Sequence, residues 1–170
     1  GKCSNIGAGK LRQTPPAPGA ALAAGATGRE RKVFSMIEKL GVQLYTIRDY
    51  MDTPEQLRES FRKLKAIGYD QAQTAGCKVP YETFGQIARE EGIEIVGTHD
   101  DFALMCGDFD AAWRNHQLLG TKLLGIGGWS YGGEEAFREF IQKANQVGAK
   151  AAALGGKFTY HNHSHEFIKQ

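Results

Sequence analysis

The residues with the clearest chemical potential lie near the C-terminal end, in the segment YHNHSHEF at positions 160 to 167. Three histidines occupy alternate positions there, and Glu166 follows them. Side chains of a β-strand alternate between its two faces, so His161 and His163 would share one face and Asn162 would lie on the other. Two imidazoles on one face can bind a divalent cation or a substrate, and a carboxylate adds the oxygen ligand that hard cations prefer.

Two other interpretations of this segment are the solvated polar end of a short edge strand and an engineered histidine tag. A tag is disfavoured because asparagine, serine and glutamate interrupt the run and an apolar strand leads into it. Three histidines within five residues, at the end of a strand with core character, favour a functional site.

Polar side chains also collect at the ends of three other predicted strands, namely Tyr45, Thr46 and Arg48, then Gln71 and Gln73, then His99, Asp100 and Asp101. In parallel α/β folds the carboxyl ends of the strands meet at one rim, which is where ligands bind. A loop with Trp129 and Tyr131 follows the fourth strand and could form an apolar wall for a ligand. The alternatives are a rim histidine bonded to backbone for His99 and a solvent-covering role for the loop aromatics.

These side chains must be positioned by the elements from Ile37 onward, where short β-type runs alternate with helical ones. The predicted strands cover residues 41–47, 69–74, 93–99, 121–127 and 157–163. The predicted helices run from an N-cap at Thr53 to Gly68, from 81 to 91, from Asp108 or Asp110 to Gly120, and from 134 to the glycines at 155 and 156. Their predicted apolar faces are Leu57, Phe61, Leu64 and Ile67 in the first helix, and Phe137, Phe140, Ile141, Ala144 and Ala151 in the fourth.

Strand, helix and strand, with a glycine closing each helix, is the pattern of parallel βαβ units. The spacing suits a (β/α)₈ barrel, whose eight units need about 250 residues. Only five strands are predicted here. The chain is therefore either a TIM barrel truncated to about five strand-helix units, with helices outside, or an open five-stranded α/β sheet of flavodoxin-like order.

Composition and charge exclude several classes of function. The 170 residues are 41% hydrophobic and 24% charged, an ordinary globular balance, and their net charge of +2 gives no reason to expect nucleic acid or an anionic membrane as a partner. Cys3, Cys77 and Cys106 are odd in number and far apart, which supports neither a disulfide framework nor a thiolate zinc site. The glycine-rich segments lack the residues of a phosphate-binding loop. Small neutral or polar ligands fit better.

The first 36 residues differ from the rest, because they are rich in glycine, alanine and proline and show no apolar period. This composition predicts a disordered leader or linker at 1–36, followed by one domain at 37–170. The alanine-rich stretch could be the remnant of an export signal. We therefore predict a cytoplasmic protein, with a periplasmic or exported one as the alternative.

The segments GVQLYTIRD, EEGIEIVGTHDDF and FTYHNHSHEF together resemble the sugar phosphate isomerase/epimerase family, the xylose-isomerase-like TIM barrels, and one bacterial branch of it in particular. The resemblance covers about Ile37 to the last residue. It implies a barrel whose C-terminal rim holds a divalent metal ion, most often Mn²⁺, with Mg²⁺, Zn²⁺ or Co²⁺ as other options. It also implies an isomerase, epimerase or related dehydratase that removes a proton from a sugar or cyclitol through an enediolate.

The resemblance further implies roles for individual residues. His99 matches a histidine that contacts substrate, and His163 matches one that lies beside the metal and faces substrate, so His163 is a candidate for both binding and catalysis. His161 stands where many members have a metal-binding glutamate, which makes His161 or Glu166 the candidate metal ligand. Glu166 is also a candidate catalytic acid or base. The remaining candidate substrate-binding residues are Tyr45, Gln73 and Trp129, although Gln73 stands where relatives commonly have a glutamate.

Other metal ligands of this family, and its second catalytic carboxylate, lie on strands six to eight. We therefore expect little or no isomerase activity from these 170 residues unless a second chain completes the site, and rapid epimerisation of a keto-sugar by the monomer with Mn²⁺ would contradict this. The predicted partner is a small sugar or cyclitol, with no nucleic acid and no membrane, and a homodimer is one way to cover the open sheet edge. The alternative function is a non-catalytic half-barrel that binds a sugar or a partner chain.

Overall fold

The computed structural model describes residues 39–130 and 132–167, in which short parallel strands alternate with helices. The strands are β1 (Gly41–Gln43), β2 (Gln71–Gln73), β3 (Glu94–Gly97), β4 (Leu123–Ile126) and β5 (Lys157–Tyr160). The α-helices are α1 (Pro54–Ala66), α2 (Tyr81–Glu90), α3 (Phe102–Gly107), α4 (Phe109–Leu119) and α5 (Glu134–Ala153). Two 3₁₀ helices span Leu44–Tyr50 and Ser164–Phe167. The predicted α/β alternation is confirmed, and the prediction for residues 1–36 lies outside the described residues.

The strands form two parallel ladders in chain order, β1-β2-β3 and β4-β5. Backbone and side-chain hydrogen bonds connect β3 to β4 at Gly125. The Gly125 carbonyl accepts from the Asp100 N–H at 2.9 Å, and the Gly125 N–H donates to Thr98 Oγ1 at 3.1 Å. The five parallel strands therefore lie side by side in chain order, with their carboxyl ends at one rim.

Two hydrophobic clusters hold the helices against these strands. The first joins β1–β3 to α1 and α2, where the buried rings of Phe61 and Phe84 meet edge to face at 5.6 Å. The second joins β4 and β5 to α3, α4 and α5, around Phe102, Leu124 and Phe140. Both clusters lie on the helix side of the strands, which leaves the carboxyl ends free to present polar side chains.

The ends of α1 agree with the prediction in most details. Thr53 Oγ1 accepts from the Gln56 N–H at 3.2 Å, as an N-cap should, while the Gln56 side chain accepts from the N–H of Asp52 rather than that of Thr53. Gly68 has a φ of +101°, as predicted for a left-handed C-cap. Ile67 was wrongly assigned to the buried stripe. It is 71% exposed because the helix ends at Ala66 and Ile67 is the cap residue.

The buried face of α5 is narrower than predicted. Phe140 and Ala151 are buried, but Phe137 and Ile141 are 38% and 42% exposed, so their predicted inward packing is wrong. A single helix face of about 100° contacts the second cluster, and these two residues lie at its margin. Among the described residues, no helix combines the length and the apolar character that a membrane crossing requires.

All five predicted strands were too long, and the errors at β1 and β5 bear on the site. Residues 44–47 form a 3₁₀ helix instead of extending β1, because the Gln43 side chain accepts from the Tyr45 N–H and Thr46 Oγ1 donates to the Gln43 carbonyl at 2.8 Å. Those local bonds replace ladder bonds. β5 ends at Tyr160, so the strand-alternation argument for His161 and His163 is wrong, since both residues lie in the segment after the strand.

Candidate functional site

A cleft of about 780 Å³ opens where the carboxyl ends of the five strands meet. Every strand end contributes to its wall. The side chains that matter most for the chemistry are Gln43, Tyr45, His99, Asp100, Trp129, His161 and His163. A concave site at the C-terminal rim of parallel strands is the usual place for ligand binding in such folds.

Three imidazoles lie side by side in the cleft. The ring centroids of His99 and His161 are 5.0 Å apart, and those of His161 and His163 are 4.8 Å apart. His161 is therefore the middle ring of the row. The structure brings together histidines that are 62 residues apart along the chain (161 − 99), from the ends of β3 and β5.

Two glycines of the loop after β4 make room for these rings. A Cβ on Gly127 would lie 3.0 Å from His99 Nδ1, and a Cβ on Gly128 would lie 3.0 Å from His163 Cε1. Gly128 also has a φ of +145°, which side-chain-bearing residues rarely adopt. The GIGG segment at 125–128 is therefore a packing surface for the histidines.

The orientation of His99 is set by Gln43. The oxygen of the Gln43 amide accepts from the Tyr45 N–H, so its nitrogen faces His99 Nδ1, at 3.0 Å. An amide nitrogen can only donate, hence Nδ1 accepts and the ring proton resides on Nε2. Burial lowers the pKa of His99, and the neighbouring His161 and His163 lower it further. His99 is thus a neutral imidazole at neutral pH with one N–H to donate.

Asp100 follows His99 and lines the same cleft. The Tyr81 hydroxyl lies 2.6 and 2.7 Å from its two carboxylate oxygens, and the Asp101 N–H donates to Oδ1 at 2.9 Å. Burial, followed by the bond to Asp100, raises the pKa of Tyr81, so its hydroxyl stays protonated and donates. Burial and the charge of Asp100 raise the pKa of Cys77 to about 12, which makes this thiol a poor nucleophile.

Aromatic side chains form the apolar part of the wall. The Trp129 ring meets Phe102 edge to face at 5.0 Å and stacks on Phe140 at 6.0 Å, while 37% of Trp129 stays exposed. Tyr45 carries the Arg48 guanidinium 4.2 Å above its ring. Trp129 is therefore anchored to the core on one side and available to a ligand on the other.

Two predicted site residues are not part of this cleft wall. Gln73 lies in β2, with its side-chain nitrogen 3.8 Å from the position that a Cβ on Gly97 would occupy. The Glu166 carboxylate accepts from the Tyr160 hydroxyl and from the His163 N–H, and the Tyr160 ring packs on Phe140 of the second cluster. The catalytic and metal-binding roles of Glu166 and the substrate contact of Gln73 stay predictions.

Gln43 and the pairing of Tyr81 with Asp100 were not predicted from the sequence. Gln43 lies inside a strand predicted to run to residue 47, and its polar side chain near the strand end was the available signal. Tyr81 was interpreted only as the start of a helix. Tyr81 and Asp100 are 19 residues apart in the sequence, so no local sequence pattern indicates their contact.

The described residues do not by themselves fit the metal ion that the resemblance implies. In the ranges 39–130 and 132–167, no group of three or more His, Cys, Asp or Glu side chains is arranged to hold a metal ion. Glu166, the predicted oxygen ligand, has both carboxylate oxygens in hydrogen bonds with Tyr160 and His163. We therefore derive no chemical step through a metal.

No protein family and no curated protein matches this chain in sequence. Among solved structures, it is similar to a sugar phosphate isomerase/epimerase from Parabacteroides distasonis, with a TM-score of 0.61, 18% identity, and coverage of 77% of this chain and 53% of that one. The chain has the fold of part of a TIM barrel. It spans about half the length of that solved structure, and at this identity the likeness shows the fold alone.

A second similar structure is an AP endonuclease of family 2 from Brucella melitensis, with a TM-score of 0.49, 13% identity, and coverage of 61% of this chain and 48% of that one. This likeness is too weak to carry an argument about function. The predicted fold, a TIM barrel of about five strand-helix units, is confirmed by the first structure, and the flavodoxin-like alternative is not needed.

Proposed function

We propose that the cleft is the sugar-binding part of an isomerase or epimerase that acts on a sugar or cyclitol through an enediolate. The observation that carries this proposal is the oriented, neutral His99 beside two further imidazoles at the carboxyl ends of five parallel strands. A fixed N–H donor and an adjacent proton acceptor are the two groups that enolisation requires. The fold similarity to a sugar phosphate isomerase/epimerase supports the same reaction class.

The reaction step follows from the roles of two histidines. The His163 imidazole removes the proton from the carbon that carries a hydroxyl group next to the carbonyl. The electron pair of that C–H bond forms the carbon–carbon double bond of the enediolate, and the negative charge moves to the carbonyl oxygen. The Nε2–H of His99 donates to this oxygen. For an isomer, the proton returns to the former carbonyl carbon, and the O–H proton of the neighbouring hydroxyl passes to the former carbonyl oxygen, so that the hydroxyl oxygen becomes the new carbonyl. For an epimer, His163 keeps the abstracted proton and a proton from solvent reaches the original carbon from the opposite face.

Substrate orientation would come from the apolar wall. The C–H face of a sugar can pack on the exposed side of Trp129 while its hydroxyl groups point to the polar side of the cleft. A dehydratase, in which the enediolate expels a neighbouring hydroxyl as water, would use the same first step.

Solvent exchange of carbon-bound hydrogen tests this proposal. In D₂O, we expect the chain to replace hydrogen by deuterium next to the carbonyl of L-erythrulose, a four-carbon hydroxyketone that is too short to close a stable ring. Exchange needs only proton removal, so it can proceed in a site that isomerises poorly. Proton NMR should show His163→Ala slowing the exchange by about 100-fold, the usual size of a lost general base.

The divalent metal ion that the resemblance implies, most often Mn²⁺, stays a prediction, with His161 as its candidate imidazole ligand. Because the described residues do not form a set of three ligands, we expect this chain to bind Mn²⁺ weakly, with a Kd above about 100 µM. Isothermal titration calorimetry measures the affinity directly. A stoichiometric site at least ten times tighter, lost in His161→Ala and retained in the control His116→Gln, would contradict the geometry described here.

A further inference from the structure

Asp100 is fixed in the cleft at its main chain and at its side chain. Its backbone N–H donates to the Gly125 carbonyl of β4 at 2.9 Å, which ties the end of β3 to the neighbouring strand. Its carboxylate accepts from the Tyr81 hydroxyl and from the Asp101 N–H. A group held this way has its geometry set before a ligand arrives, which reduces the entropy cost of binding.

The carboxylate of Asp100 still has capacity for a ligand. A carboxylate offers about four lone-pair positions, whereas Tyr81 supplies one O–H proton that its two oxygens share and Asp101 supplies one N–H. Asp100 is half-buried and lines the cleft, so the remaining positions can face a ligand. Its negative charge contributes to the raised pKa values of Cys77 and Tyr81.

His99 and Asp100 together present a donor and an acceptor on consecutive residues of one strand end. The Nε2–H of His99 can donate to a carbonyl oxygen, and the carboxylate of Asp100 can accept from a hydroxyl group. A carbonyl with a hydroxyl on the adjacent carbon carries these complementary groups side by side. A polyol carries a hydroxyl group in place of the carbonyl. It therefore lacks an oxygen that acts only as an acceptor for the His99 N–H.

We propose that Asp100 is a substrate-binding residue that accepts a hydrogen bond from the hydroxyl group next to the reacting carbonyl, and that Tyr81 is its positioning residue. The ligand class is therefore an open-chain α-hydroxycarbonyl sugar. This inference rests on the proposed function, because the hydroxycarbonyl group is also the group that enolises. Asp100, and not Glu166, is thus the carboxylate that faces the ligand. The oxygens of Glu166 are bonded to the Tyr160 hydroxyl and the His163 N–H.

Paired ligands and paired variants test this assignment with the full chain. L-Erythrulose and erythritol differ only at the carbonyl, and their binding can be followed by ligand-observed NMR. We expect the wild-type chain to bind erythrulose at least about 5-fold more tightly than erythritol, and Asp100→Asn to lose about 10-fold in erythrulose affinity, the size of one charge-assisted hydrogen bond. The control Asp110→Asn, an exposed aspartate of α4 outside the cleft, should bind as the wild type does.

Tyr81→Phe distinguishes positioning from simple stability. We expect it to weaken erythrulose binding about 3-fold in the wild-type background and not at all in the Asp100→Asn background, because Tyr81 acts through Asp100. A loss in both backgrounds would show a general structural effect and contradict the positioning role. Thermal unfolding of each variant confirms that the compared proteins are folded at the assay temperature.

Three outcomes would overturn the assignment of Asp100. These are equal binding of erythrulose and erythritol by the wild-type chain, binding of neither, and an unchanged erythrulose affinity in Asp100→Asn. The exchange reaction separates this failure from failure of the proposed function. If exchange depends on His163 while Asp100→Asn keeps the wild-type affinity for erythrulose, the enolisation proposal stands and the role of Asp100 is wrong.

Discussion

Gly125→Ala is expected to destabilise the protein by at least about 3 kcal/mol, the upper range for forcing an atom into a packed site. A Cβ at this position would lie 2.2 Å from the backbone carbonyl oxygen of Thr98 and 2.7 Å from Thr159 Oγ1. The first contact is with main chain, which cannot rotate away. β3 would therefore have to separate from β4, and the hydrogen bonds of Gly125 to Asp100 and Thr98 would be lost.

Urea denaturation of Gly125→Ala measures this loss, and Gly41→Ala is the matched control. Gly41 is also a strand glycine, but a Cβ there would meet its nearest atom, Gln71 Cβ, at an ordinary 3.6 Å. We expect the control to stay within about 1 kcal/mol of the wild type. Equal stability of Gly125→Ala and the wild type would show that β3 and β4 do not approach each other this closely.

His116→Ala should cost about 3 kcal/mol of unfolding free energy, from the lost contacts of a buried ring and from a hydroxyl group left without its partner. His116 is completely buried in α4. Its Nδ1 lies 2.7 Å from the Ala112 carbonyl oxygen and its Nε2 lies 2.8 Å from Thr98 Oγ1. A carbonyl only accepts, so Nδ1 carries the proton and Nε2 accepts from the Thr98 hydroxyl. The Thr98 oxygen in turn accepts from Gly125 at the junction of β3 and β4.

The same residue makes stability depend on pH. Burial lowers the pKa of His116, although its bond to Ala112 and the charge of Asp100 oppose this. The unfolded chain, with a histidine pKa of about 6.5, therefore binds the proton more tightly than the folded chain. The contribution of His116 is complete above about pH 6.5 and declines as the pH falls below it, by at most about 1.4 kcal/mol per pH unit.

Urea denaturation at pH 7.5 and pH 5.5 measures this acid-dependent loss. His99, whose pKa is also lowered, adds a loss of the same sign. We expect His116→Gln to lose less stability than the wild type between these two pH values. An identical pH dependence in His116→Gln would rule out His116 as the source.

Features that depend on a few consecutive residues were predictable from the sequence. The N-cap at Thr53 and the left-handed glycine that ends α4, Gly120 with a φ of +82°, were both located correctly. The alternation of strands and helices followed from apolar periodicity, and with it the rim where polar side chains collect. The structure places His99, Trp129, His161 and His163 in the cleft at that rim.

Features that depend on contacts between distant residues were not predictable. The β1 prediction failed because the Gln43 side chain offers the backbone a local alternative to the ladder, and the short helix α3 was missed because Asp101 caps it through the N–H groups of Ala103 and Leu104. The bond from Tyr81 to Asp100 forms only after β3 and α2 pack together. Asp100 and Asp101 were both expected near the rim from the sequence, but only the fold shows that Asp100 lines the cleft.

Deuterium exchange into L-erythrulose, followed by proton NMR in D₂O, tests the central claim most directly, because it detects proton removal next to a carbonyl by the chain itself. We expect exchange that is faster than in buffer, slowed about 100-fold in His163→Ala and unchanged in the control Asp110→Asn. Exchange at the buffer rate with the wild-type chain, or exchange that His163→Ala leaves unchanged, would contradict the proposal that this cleft carries out enolisation.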